Sequence, residues 1–436
     1  MAPLLHRQPF KAIYIIGFLA FMVNIMLPCW LVYYSWRPNR PRKSWTLFRT
    51  VNVQMIRNFA RLPFKAGVFS KRNLSLEVPQ KELGPFNSRF VWIPELEKED
   101  IVGVVDEHAT RAGVKSIAIP AYWILKDGTT WSPAYDKAQK NEKVLLYLHG
   151  GAFMVGSVLF PTPSSRLLLL QMGTAHPSHP TASVAKGILK FSTSLSRLLS
   201  VDYRLSSGPP LEPENPFPAA LIDAIAAYKH LVCEVGFLPQ NVTVGGDSAG
   251  GNLALALIRY VVESRLPHLQ PPGGFITSSP LADISFSRSD SIGSSHSLNS
   301  KSDVFSPPRS VSALIIGAYI GDIDPEETKY NRYLSPASKF VVPANAGEDA
   351  KLFSGFPRSY IMGGGAEAIF DDVVALAERM MDDGVDITTD FPPDAVHAYP
   401  MFGWHEPERT ESLIKCATWF DERLVEQSNE GEGTLV

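Results

Sequence analysis

Between Val242 and Asn252 the chain reads VTVGGDSAGGN, an apolar strand that passes through a turn of small residues into a helix expected over Leu253–Val262. Gly246 and Gly250 bracket Ser248. That spacing sets a serine at the tip of a sharp turn, where side chains on either flank would collide with neighbouring backbone. The serine is then held in a strained conformation. The helix that follows aims its free N–H groups and positive dipole end at the same point. A glycine-rich strand-to-helix connection with a polar tip reads the same way in isolation, so the question is whether the chain supplies partners for a serine hydroxyl.

Strand and helix signals alternate on both sides of this turn, which implies a mostly parallel sheet flanked by helices. Val144–Leu148 is a continuous apolar run, as a strand buried on both faces requires. Ser88–Pro94 and Val114–Leu125 open the sheet, and Ser200–Leu205, Phe275–Ser278, Ser359–Met362 and Val385–Phe391 continue it. Helices are expected over Ser164–Met172, Val184–Leu199, Phe217–Val232, Asp371–Asp383 and Glu406–Gln427. The serine-rich segment Ser285–Ser310 reads as a flexible excursion, and residues 428–436 as a disordered tail.

The other strong constraint lies near the start. Ala12–Trp36 holds 25 residues without a charge, enough for a helix to cross a bilayer, which takes about 20. Tyr14 at one end and Trp30, Tyr33, Tyr34 and Trp36 at the other match interfacial aromatic belts. A cleaved signal peptide would carry a shorter apolar stretch and a small-residue cleavage site. Residues 12–36 are therefore expected to anchor the protein as a single-pass membrane protein, in the endoplasmic reticulum if the cell is eukaryotic. Flanking charges weakly favour a cytosolic catalytic side, whereas the acceptor triplet Asn73-Leu74-Ser75 would matter only on the lumenal side. A second triplet, Asn241-Val242-Thr243, falls on the strand before the turn. A helix around Thr46–Arg61 would lie along the bilayer or cover the site.

With a net charge of −3, nothing calls for nucleic acid. Cys29, Cys233 and Cys416 have no metal-ligand spacing, and the latter two read as core residues on helices. No metal or cofactor is expected.

A serine hydroxyl attacks only when a base takes its proton, and the base needs a third group to orient it. Ser248, Glu367 and His397 occur in the order Ser, acid, His, and the last two follow predicted strand ends, where catalytic groups of parallel sheets collect. Asp371 is the alternative acid, although it and Asp372 suit the first turn of the next helix. His405 comes too late after its strand, and Asp247 reads as a structural hydrogen bonder. After the Val144–Leu148 strand comes His149-Gly150-Gly151-Ala152-Phe153. Its glycines leave backbone N–H groups facing a cavity, as an oxyanion hole requires. His149 reads as a loop-positioning residue.

These pieces resemble the hormone-sensitive-lipase-like branch of the α/β-hydrolases. The matching segments are HGGAF at 149–153, SVDYRLS at 200–206, ENPFPAALIDAIAAY at 214–228, GGDSAGGNLALAL at 245–257, YLSPAS at 333–338, GGGAEAIFDD at 363–372 and VHAY at 396–399. The resemblance implies that Ser248 is the nucleophile, Glu367 the orienting acid and His397 the base. It also implies oxyanion donors from the backbone of Gly151, Ala152 and Ala249, with Gly150 in the same loop. Ala152 replaces the family's third glycine, which leaves the donor intact and narrows the acyl pocket provided φ is negative there. With its anchor, the plan resembles arylacetamide and steryl-ester deacetylases. It implies an α/β-hydrolase domain over 88–427 with a helical cap insertion at about 285–355, preceded by an anchor (1–36) and a juxtamembrane or cap segment (37–87). The expected partner is a small apolar ester, cleaved through an acyl-enzyme. An acyltransferase with the same triad, or a non-catalytic small-molecule receptor on the same fold, is the alternative.

Overall fold

A run of strand that is apolar at every position needs a layer on each face, and Val144–Leu148 has both. Val144, Leu146 and Leu148 enter one core cluster while Leu145 and Tyr147 enter the other. The computed structural model describes residues 4–67, 74–154, 157–161, 167–171, 173–209, 211–343 and 351–430, and only the backbone of 157–161, 167–171 and 423–430. In chain order, α1 (Phe10–Ser35) and α2 (Leu47–Ala66) precede β1 (Ser88–Ile93), α3 (Gly103–Ala112), β2 (Ile119–Leu125) and β3 (Lys143–Leu148). A hairpin of β4 (Ser157–Pro161) and β5 (Leu167–Gln171) leads to α4 (Ala182–Phe191), β6 (Leu195–Val201) and α5 (Ala219–Lys229). Then come β7 (Val242–Asp247), α6 (Ala249–Ser264), β8 (Gly274–Ser278), α7 (Ser295–Leu298) and α8 (Arg309–Ile320). The last elements are β9 (Ser359–Met362), α9 (Phe370–Asp382), β10 (Ile387–Asp390) and α10 (Glu408–Glu430).

Eight strands form one sheet in the order β1-β2-β6-β3-β7-β8-β9-β10. The β1–β2 and β2–β6 pairs are antiparallel, and every pair from β6 to β10 is parallel. Helices α5, α6 and α9 cover one face and α4 and α10 the other. Parallel neighbours leave their C-terminal ends on one edge, so the loops after β3, β7, β9 and β10 meet there.

Several local expectations are corrected. Within the helix expected over Ser164–Met172, the described residues Leu167–Gln171 are instead a strand that pairs antiparallel with Ser157–Pro161, and the rest of that stretch lies outside the described residues. The strand's four successive leucines carry no 3.6-residue period that would separate helix from strand. The helix expected over Val184–Leu199 ends at Phe191, and Leu195–Val201 is the strand wedged between β2 and β3, so the strand expected at Ser200–Leu205 begins five residues earlier. Residues 114–118 precede the strand β2 without joining it. The helix after the turn starts at Ala249 and ends at Ser264. Residues 428–430 continue α10, and the rest of the expected tail lies outside the described residues, as does Asn73. Cys416 is buried but Cys233 is exposed. Thr243 of the second acceptor triplet is buried in β7.

Helix α1 is long and apolar enough to cross a membrane, with a mean hydropathy of 2.3 and little of it buried. A π turn at Met22–Met26 interrupts it just before Pro28, whose missing N–H and ring bulk disturb the bonding of the preceding turn. Helix α2 runs five residues beyond its expected end, capped by the Thr46 side chain at its start and by Gly67 at φ 59° at its end. It packs on α1 through Val51, Phe59 and Leu62 against Met22 and Trp30.

Part of the serine-rich segment is packed, although Asp290–Gly293 is exposed. Ser294, Ser295, Asn299, Ser302 and Asp303 are buried, and their short polar side chains bond backbone instead of water. Serine content read this segment wrongly because a hydroxyl that caps a loop and one that faces solvent look alike in sequence.

The turn at Ser248 leaves no room for side chains at its glycines. A Cβ at position 250 would lie 2.0 Å from the Leu148 carbonyl oxygen, and one at 246 would lie 2.4 Å from the Gly250 oxygen. Gly317, exposed within α8, has nothing within 4 Å of that position. Gly250→Ala is expected to cost more than the ~3 kcal/mol that bounds most substitutions, whereas Gly317→Ala is expected to add ~0.5–1 kcal/mol. Chemical denaturation of both variants checks this pair.

Candidate active site

Ser248 sits at φ 52° and ψ −118° between β7 and α6. The turn is held from both sides: its N–H donates to the Ser278 carbonyl at 3.0 Å, and its own carbonyl accepts from Leu281 N–H at 2.9 Å. Such a conformation persists only where the surroundings over-determine it. Its Oγ lies 2.9 Å from His397 Nε2, and His397 Nδ1 lies 2.8 Å from Glu367 Oε2. The other Glu367 oxygen accepts from Gly364 N–H at 2.8 Å. Glu367 is fully buried, His397 nearly so, and the Phe305 ring stacks on the imidazole at 5.6 Å.

Burial alone would push the His397 pKa down. The hydrogen bond and charge of Glu367, followed by the charges of Asp303 and Asp247, outweigh it and hold the imidazole above its ordinary value. Asp371 is elsewhere: it exchanges two bonds with Ser295 at the start of α9. His405 accepts from Val396 N–H at 3.3 Å, so it shapes the loop that carries His397. Asp247 accepts from Tyr147 Oη at 2.8 Å and from Gly150 N–H at 3.0 Å, and burial raises its carboxyl to about 6.

That last bond corrects one expected oxyanion donor, because the Gly150 N–H points into the protein at Asp247. Among the described residues, nothing takes the N–H of Gly151, Ala152 or Ala249. The condition on Ala152 is not met either: its φ is +59°, as is that of Phe153. This left-handed pair is held by Phe153 stacking on Tyr319 at 3.8 Å and by the Phe153 carbonyl accepting from Ser206 N–H at 2.7 Å. His149 stacks on Tyr203 at 4.4 Å beneath the loop.

A cavity of about 140 Å³ opens above Ser248 and His397, close to the volume of an engineered apolar cavity that holds benzene, ~150 Å³. Ile56, Ala60 and Phe64 of α2 form one wall, Val304, Phe305 and Val311 a second, and Met401 and Phe402 a third. The α2 residues recur at helical spacing, which puts them on one face. Helix α2 thus covers the site, one of the two placements its sequence allowed.

Sequence reasoning missed a group of residues behind the Glu367 and His397 loops. Asp303 is buried, with Oδ1 accepting from His397 N–H at 3.0 Å and Oδ2 from Ala368 N–H at 2.8 Å. Desolvation lifts its carboxyl to about 6. Asn299 donates to the Glu367 carbonyl at 2.8 Å. From the segment before α2, Arg42 donates to Asn299 Oδ1 at 2.5 Å and to the Gly365 carbonyl at 2.9 Å, and Trp45 Nε1 donates to the Asp394 carbonyl at 2.8 Å. Only a charge inside a run of serines set Asp303 apart in the sequence. Nothing marked Arg42 or Trp45. Among the described residues, no cluster of three or more His, Cys, Asp or Glu side chains forms a metal-binding set.

Residues 190–401 match a family model described as alpha/beta hydrolase fold. An acetyl-hydrolase of Streptomyces hygroscopicus is 28% identical over 270 residues, 62% of this chain and 71% of that protein. The carboxylesterase NlhH of Mycobacterium tuberculosis is 24% identical over 342 residues, 77% of this chain and 86% of its own. Among solved structures, a hormone-sensitive lipase from a metagenome library is 28% identical with a TM-score of 0.50, over 70% of this chain and 82% of that one. The structure of EstE5, 22% identical with a TM-score of 0.53 over 86% of this chain and 98% of its own, shares the fold. The family match spans β7 and the loops that carry Ser248, Glu367 and His397, so residues 190–401 carry an α/β-hydrolase fold.

Proposed function

We propose that the protein is a membrane-anchored serine esterase that hydrolyses esters of small apolar molecules or lipids through Ser248, His397 and Glu367. The observation that carries the reading is the unbroken hydrogen-bonded chain from Ser248 Oγ through His397 to buried Glu367, at the floor of an apolar cavity. Relatives named esterase, carboxylesterase and acetyl-hydrolase support the reaction class.

Ser248 Oγ attacks the ester carbonyl as His397 Nε2 takes its proton. Glu367 stabilises the imidazolium and fixes its tautomer by accepting from Nδ1. Negative charge then develops on the carbonyl oxygen, where the N–H groups of Gly151, Ala152 and Ala249 serve as donors. Losing one such donor typically costs ~10²–10³ in rate. The imidazolium returns its proton to the departing alcohol, and water, deprotonated by the same His397, releases the acid from Ser248. The apolar helix α1 packs on α2, the cavity wall, which places the proposed anchor beside the site.

Ser248→Ala is expected to lower kcat on a 4-nitrophenyl ester at least ~10⁴-fold and to abolish labelling by a fluorophosphonate. Retained turnover overturns the assignment. His397 must be neutral to act as base. Because its pKa is raised, kcat/KM is expected to fall tenfold per pH unit below an apparent pKa higher than 6.5, and to reach its plateau above it. Glu367→Gln removes the largest raising influence, so that acid limb shifts to lower pH while kcat drops ~10⁴-fold. A pH–rate profile of both enzymes checks the direction.

A further inference from the structure

The cavity wall carries two charges that the triad does not use. Arg57 and Arg61 lie one turn apart on α2 and line the same cavity as Ser248 and His397. Arg61 donates to the Ser306 carbonyl at 3.3 Å. Among the described residues, neither guanidinium has a carboxylate within ion-pairing distance, and Arg57 makes no hydrogen bond. The arginines at the start of the same segment behave differently: Arg49 grips Glu408 through two 2.7 Å bonds, and Arg42 faces Asp394 at 3.7 Å.

The carboxylates nearest the cavity are already engaged. Asp303 accepts from two backbone N–H groups, Asp247 from Tyr147 and Gly150, and Glu367 from His397 and Gly364. Burial, and then the like charge of Arg61, outweigh the opposing charge of Asp303, which is near but not within ion-pairing distance, and pull the Arg57 pKa below its ordinary value. A half-buried cation beside a second cation is costly unless an anion arrives to pair with it. Guanidinium pairs bind carboxylate or phosphate with several directed donors, and apolar walls strengthen the attraction.

We infer that Arg57 and Arg61 form an anion subsite of the esterase, so that the preferred substrates are esters bearing a carboxylate or phosphate on the part that lies against α2. This rests on the esterase reading above, and it makes a specific addition to it: the substrate is amphipathic, with an apolar body in the cavity and one negative group at the α2 wall.

Two matched ester pairs test it on the full-length chain in detergent. On the acyl side these are 4-nitrophenyl pentanoate and mono-4-nitrophenyl glutarate, and on the alcohol side phenyl butyrate and 4-carboxyphenyl butyrate, each normalised to its hydroxide-catalysed rate. The wild type is expected to favour the charged member of one pair by about tenfold or more in kcat/KM, equivalent to ~1.4 kcal/mol. In Arg57→Gln/Arg61→Gln that ratio is expected to fall toward one, and Arg57→Lys/Arg61→Lys to keep most of it. No preference in either pair, or a preference that survives the glutamine variant, overturns the subsite while leaving the esterase reading intact. Should no ester be cleaved, the esterase reading fails and binding decides the subsite. A rise in Tm of Ser248→Ala with 4-carboxyphenyl butyrate that disappears in Ser248→Ala/Arg57→Gln/Arg61→Gln supports it, and no rise overturns it.

Discussion

The close approach of two backbones governs this structure. Gly250 lies so near the end of β3 that a single methyl group would sit 2.0 Å from the Leu148 carbonyl oxygen. That contact makes α6 leave β7 at a sharp angle, forces Ser248 to φ 52°, and points its hydroxyl out of the sheet edge. It also brings Asp247 under the loop that follows β3, where its carboxylate bonds Gly150 N–H. The serine and the neighbouring loop are therefore positioned by the same few atoms. A conformation this unfavourable survives because the flanking strands are paired on both sides and their apolar faces are buried in two separate cores.

A second level of support comes from outside the sheet. Glu367 and His397 stand on loops, which are the least constrained parts of an α/β architecture. Here Asp303 ties the backbones of both loops together, Asn299 holds the Glu367 carbonyl, and Arg42 and Trp45 reach in from the segment before α2. Each is a hydrogen bond to backbone in a buried setting, where leaving a donor or acceptor unmatched typically costs ~1–3 kcal/mol. Hydrogen bonding that spans four stretches of chain is well suited to holding loops to within the few tenths of an ångström that proton transfer requires.

What the sequence disclosed and what it hid follow one rule. Features set by local chemistry were readable: the glycines around Ser248, the apolar run of β3, the uncharged stretch in α1, and the order of Ser248, Glu367 and His397. Features set by contacts between distant segments were not. Leu195–Val201 is a strand because a gap between β2 and β3 receives it, and its leucine-rich pattern suits a helix equally well. Gly150 looked like a free donor until Asp247, 97 residues away, was placed beneath it. Ala152 at positive φ is stabilised by Phe153 stacking on Tyr319, a partner that no local window contains. The serine-rich segment misled for the same reason, since its hydroxyls and carboxylate serve loops on other parts of the chain.

Helix α2 has a dual allegiance. One side packs on α1 through Phe59 and Leu62, the other forms a wall of the cavity through Ile56, Ala60 and Phe64, and the residues just before it clamp the Glu367 and His397 loops. A shortened chain that begins at β1 would therefore differ from the whole by more than the loss of its apolar helix. It would expose the floor of the cavity to water and release the hydrogen bonds that hold the Glu367 and His397 loops, and so confuse the loss of an apolar helix with the loss of the pocket itself.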